Sequence, residues 1–80
     1  MRYVYLLKSN TNPRHRYVGL TADLQKRLRE HNAGKSPHTS KNRAWKLVVA
    51  LRFENDERAL AFERYLKSGS GRAFADKHLW

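Results

Sequence analysis

With no cysteine anywhere along it, this chain of 80 residues has neither a disulfide nor a thiolate metal site to hold it together. Its stability must come from packing alone. A chain this short removes only roughly 60–65% of its unfolded surface from water on folding, which leaves it a single thin core. At 40% hydrophobic and 11% aromatic residues the composition suits such a core and not a disordered tail. One domain over residues 1–80 is expected. No apolar run approaches the roughly 20 residues that span a bilayer, and MRYVYLLKSN lacks the apolar stretch of a signal peptide, so a cytoplasmic protein with no membrane partner is expected.

The apolar residues fall into strand-like and helix-like patterns. RYVYLLK at 2–8 is rich in aromatic and branched residues and runs into the turn formers SNTNPRH, after which Arg16 to Leu20 reads as a second strand of a hairpin. Thr21 is placed to cap a helix from Ala22 to about Asn32, with Asp23 in its first turn, Leu20, Leu24 and Leu28 as its apolar stripe and Gly34 at its end. KSPHTSKNR at 35–43 reads as a basic loop. WKLVVALRF at 45–53 is the most apolar stretch and reads as the central strand, covered on both faces. Asn55 or Asp56 opens a helix to about Ser68 with Ala59, Phe62 and Leu66 inward, SGSG breaks it, and a last short helix is anchored by Phe74 and Leu79. The expected fold is α+β: a small, mainly antiparallel three-stranded sheet flanked by helices, in the order β-β-α-β-α-α.

Charge narrows the partner. Seventeen Lys and Arg against seven Asp and Glu give a formal net charge of +10. Such an excess favours an anionic partner. Arg outnumbers Lys ten to seven, and the planar guanidinium suits phosphate better than a point charge does. Nucleic acid leads, although ribosomal or anionic lipid surfaces attract the same charge.

Several residues then stand out. Arg27 and His31, four apart, share one face of the first helix, where they form either a solvated basic face or a group that holds phosphate and moves a proton. Glu63 lies at the margin of the inward face of the second helix and reads as a metal ligand or as half of an ion pair. Tyr3 and Tyr5 share a sheet face, and Tyr17 joins them if its strand pairs suitably; aromatic residues on strands also serve simply as packing.

Taken in order, Tyr3-Val4-Tyr5, Tyr17-Val18-Gly19, Arg27 with His31, and then Glu63 resemble the signature of the GIY-YIG nucleases over nearly the whole chain. Tyr3 stands where the name motif has its first glycine, and Val18 replaces an isoleucine. The segment Glu63-Arg-Tyr-Leu-Lys67-Ser-Gly-Ser-Gly71 is similar to small single-domain members related to the N-terminal nuclease domain of the bacterial excision-repair endonuclease. The resemblance implies a metal-dependent endonuclease acting on nucleic acid, DNA more than RNA. Catalytic residues would be Tyr5, Tyr17, Arg27, His31 and Glu63, with Glu63 holding one Mg²⁺ or Mn²⁺. In this reading Tyr5 takes a proton from the attacking water and Tyr17 orients water or substrate, the reverse also being open. Gly19 has a structural, backbone role, and Lys35, His38, Thr39, Lys41, Arg43 and Lys67 line the path of the nucleic acid. The alternative is a non-catalytic basic binding module on the same scaffold.

Overall fold

The computed structural model describes residues 1–37 and 39–80, with the side chain of Asn42 outside the description. Strands β1 (Arg2–Ser9), β2 (Arg16–Thr21) and β3 (Trp45–Phe53) and helices α1 (Leu24–Asn32), α2 (Asp56–Leu66) and α3 (Gly69–His78) follow one another as β-β-α-β-α-α, with a short 3₁₀ turn at Ser40–Asn42. The sheet is antiparallel throughout, in the order β2-β1-β3.

The central strand is therefore β1 and not the more apolar β3. Alternation decides this. Val4 and Leu6 point to one face, where they join Ala59, Leu66 and Ala75 of α2 and α3; Tyr5 and Leu7 point to the other, where they join Trp45 and are covered by Leu24 and Leu28 of α1. The run Val4–Leu7 is buried on both faces, whereas β3 is an edge whose Leu47 is exposed and whose register to β1 shifts by a bulge between Leu6 and Leu7.

The helix ends follow local hydrogen-bonding chemistry. Asp23, not Thr21, caps α1: its carboxylate accepts from the Lys26 amide at 3.1 Å, while the Thr21 hydroxyl stays in β2 and accepts from the Asp23 amide. Leu20 accordingly belongs to β2, pairs with Val4 and packs on the α2 side instead of extending the α1 stripe. Gly34, at φ 78°, follows the C-cap Ala33, with the Lys35 amide donating to the Glu30 carbonyl and the Gly34 amide to that of His31. Asn55 caps α2 as expected. SGSG does not separate the last two helices by a loop: Ser68 caps α3, its hydroxyl accepting from the Gly71 amide, and Gly71 and Ala75 are the buried contacts, with Phe74 exposed.

Candidate active site

Tyr5 lies at the middle of the central strand, and its register partner on β2 is Gly19. A side chain at position 19 would begin inside the Tyr5 ring and on its hydroxyl, so the glycine is what allows the phenol to lie across the neighbouring strand. The expected backbone role of Gly19 thus has a definite object, an aromatic ring in place of the strand-to-helix junction. Tyr17 pairs with Leu7, which puts it on the same face diagonally across from Tyr5; the ring centroids are 6.2 Å apart.

Helix α1 lies over this face and presents Arg27 and His31 to the two phenols. The His31 ring centroid is 5.8 Å from that of Tyr5 and 4.9 Å, edge-on, from that of Tyr17. The Tyr5 hydroxyl is 2.9 Å from His31 Nε2, and His31 Nδ1 is 2.7 Å from Thr39 Oγ1. The Arg27 guanidinium lies beside the Tyr5 and Tyr17 phenols and is braced by a hydrogen bond to Glu30 at 3.1 Å. Either ring nitrogen of His31 can carry the imidazole proton, so the chain of bonds from Tyr5 through His31 to Thr39 can run in either sense. Trp45 secures the far end of the chain of bonds, its indole donating to the Thr39 carbonyl at 2.8 Å. Asn32 grips the Trp45 backbone on both sides, accepting from its amide and donating to its carbonyl.

Burial governs the protonation states. It pushes the Tyr5 hydroxyl up to about 12, against the opposing pull of the Arg27 hydrogen bond. Burial also pushes His31 down to about 4, and the nearby Arg27 charge acts in the same direction, so the imidazole is neutral at physiological pH. Burial disfavours the Arg27 charge, yet its hydrogen bonds to Tyr5 and Glu30 together bind its proton more tightly than in free arginine.

Glu63 comes from a different layer of the fold from these four residues. It sits on α2, which packs against Val4 and Leu6, the opposite face, and its largely shielded carboxylate is 2.5 Å from Lys67 Nζ. The two sides meet at the outer edge of β2, where Tyr17 and Lys67 line the same cleft. Of the residues expected to guide nucleic acid, Lys35, Lys41 and Arg43 are exposed, with Arg43 donating to the Ala33 carbonyl. Thr39 is fully buried and therefore unavailable to a phosphate backbone; it holds His31 instead. His38 lies outside the described residues. Sequence reasoning missed three further cations at the β2 edge, Arg14, Arg16 and Arg72. The available signal was the place of Arg14 in the hairpin loop and of Arg16 at the start of β2.

Among the described residues no group of three or more His, Cys, Asp or Glu side chains could hold a metal ion. A single carboxylate such as Glu63 suits a hydrated Mg²⁺-like cation whose coordination is completed by substrate oxygens, and not an all-protein cage. No helix among the described residues is long and apolar enough to cross a membrane.

Comparisons with known proteins give the family. The chain is 37% identical over 83 residues to the structure-specific endonuclease subunit SLX1 of Candida dubliniensis, an alignment covering 95% of this chain and 28% of that protein. It is 40% identical over 52 residues to a UPF0213 protein of Lactococcus lactis subsp. cremoris, covering 64% of this chain and 53% of that one. The chain thus spans about a quarter of the SLX1 subunit and about half of the UPF0213 protein. The solution NMR structure of a UPF0213 protein from Bacillus halodurans matches over 96% of this chain and 84% of its own, with a TM-score of 0.57 and 27% identity. The family model described as the GIY-YIG catalytic domain matches residues 1–75, a span that holds both strand motifs, Arg27, His31 and Glu63, and the chain belongs to that nuclease family.

Proposed function

We propose that residues 1–80 act as one nuclease domain, a metal-dependent endonuclease that hydrolyses phosphodiester bonds in nucleic acid, DNA in preference to RNA. The observation that carries this reading is the convergence of Tyr5, Tyr17, Arg27 and His31 on one face, with every polar atom of the inner pair engaged. A relative named as a structure-specific endonuclease subunit supports the endonuclease reading.

Arg27, pre-oriented by Glu30 and the phenols, donates to the non-bridging oxygens of the scissile phosphate, where charge grows in the transition state. Tyr17 is the phenol with an open side and lines the cleft, so it orients the attacking water. Tyr5 keeps its proton near neutral pH and serves to hold His31 and Arg27 in register; proton acceptance, which the sequence pattern suggested for Tyr5, fits Tyr17 better. Neutral His31 is hydrogen-bonded to the Tyr5 hydroxyl and fixes that phenol. Glu63 would hold one Mg²⁺ or Mn²⁺, which when bound neutralises charge on the phosphate and the leaving oxygen. Lys67 would exchange Glu63 for a phosphate oxygen of the substrate, which frees the carboxylate for the cation.

The test is incubation of the purified protein with labelled plasmid and single-stranded DNA, with and without Mg²⁺ or Mn²⁺. Cutting that needs the cation and disappears in Glu63→Ala, with binding retained, is the expected result. Equal cutting by Glu63→Ala would overturn the metal assignment. The Glu63–Lys67 ion pair favours a second reading, a basic binding module, because it already neutralises the carboxylate. Binding without cutting under either cation would select that reading.

A further inference from the structure

The outer edge of β2 and the helix pair α2–α3 enclose an open cleft of about 490 Å³. Its walls differ in chemistry. Arg14, Arg16, Lys67 and Arg72 contribute four cations, while Val18, Leu66, Ala75 and Trp80 supply apolar surface. Asp76 is the lining carboxylate, and Arg16 already takes it at 3.1 Å while its guanidinium lies 4.6 Å from the Trp80 ring centroid. Arg14 and Arg72 carry no ion pair among the described residues. Tyr17 also lines the cleft, so it opens directly beside that phenol of the active site.

We infer that this cleft binds one unpaired nucleotide of the substrate strand, its phosphate on Arg14 and Arg72 and its base on the apolar wall beside Trp80. The inference rests on the nuclease reading for the identity of the substrate, and two features carry it further. A track for a duplex backbone needs cations but no apolar wall, because paired bases stay stacked inside; an exposed base needs both. The volume falls in the range of sites for single small ligands, about 300–1,000 Å³. Tyr17 lines the same cleft, so a nucleotide seated here lies beside the candidate active site. The ion-paired Arg16 shapes the wall, its planar group stacked on the indole.

The experiment is fluorescence anisotropy with the intact chain in EDTA, comparing a labelled blunt duplex with the same duplex carrying a short single-stranded overhang, at one salt concentration. Wild type is expected to bind the overhang probe about tenfold more tightly, the value of one stacked base with its phosphate contacts. Arg72→Glu and Arg14→Glu should each remove most of that preference while changing blunt-duplex affinity about twofold. Arg52→Glu, the same charge change on exposed β3 away from the cleft, should weaken both probes alike. Circular dichroism confirms folding of each variant, all three positions being exposed. No preference for the overhang in wild type, or parallel loss of both probes in Arg72→Glu and Arg14→Glu, overturns the inference. Cation-dependent cleavage measured on the same probes reports separately on the nuclease reading: a protein that prefers the overhang yet cuts neither probe keeps its cleft and loses its activity.

Discussion

The Tyr5 ring occupies the space in which any side chain at position 19 would start, so the two residues form one steric unit. Gly19→Ala is expected to cost on the order of 1–3 kcal/mol, as overpacking of a filled site does, and to displace the catalytic-face phenol. Chemical denaturation checks the first point, and a double-mutant cycle checks the cause: in a Tyr5→Ala background the Gly19→Ala penalty should largely vanish. His31 supplies a pH signature. Its native value is lowered to about 4, against roughly 6.5 in an unfolded chain, so between these values the unfolded state holds a proton that the native state lacks. Stability is therefore full above pH 6.5 and falls as pH drops toward 4, by up to about 3 kcal/mol. Urea midpoints at pH 7 and pH 4.5 measure this, and His31→Gln should flatten the difference. The candidacy of Arg27 and His31 was legible from their helical spacing. Thr39 was not, because its link to His31 depends on how the loop after α1 folds back beneath Trp45.

At the scale of elements, two glycines of SGSG make opposite demands. A side chain at Gly71 would strike the Tyr65 carbonyl and the Leu66 backbone, which cannot yield without moving α2; at Gly69 it would meet open space. Gly71→Ala is expected to lower the melting temperature by many degrees, whereas Gly69→Ala, in the first turn of α3, should be neutral or slightly stabilising. Thermal melts of the two variants side by side provide the check. Gly34→Ala places an L side chain at φ 78° and should cost about 1 kcal/mol, read as a shift in the urea midpoint. Capping residues and the αL glycine act within a few residues of one another, which is why Asn55 and Gly34 were readable in advance. Phe74 as an anchor and SGSG as a break were not, since a close helix–helix approach is set by where α2 lies and not by the apolar character of α3.

At the scale of the molecule, the sheet divides the apolar residues into two clusters, one under α1 and one under α2 and α3, and catalytic candidates occur on both sides of it. The cations of the cleft, with Arg27, should give single-strand binding a log–log salt slope of roughly −3, the expectation for a handful of phosphate contacts, measured by anisotropy across a salt series. Alanine at Arg72 should make that slope shallower by about 0.7. The sequence by itself determined the order of elements, the two tyrosine strands, the helical face shared by Arg27 and His31 and the basic character of the surface, because periodicity, caps and charge act locally. Only the tertiary structure decided that β1 is central, that burial holds Tyr5 protonated and His31 neutral, and that the helix bearing Glu63 packs on the sheet face opposite the phenols. Strand order and burial depend on which long-range pairings bury the most apolar surface at once, and no window of neighbouring residues contains that comparison.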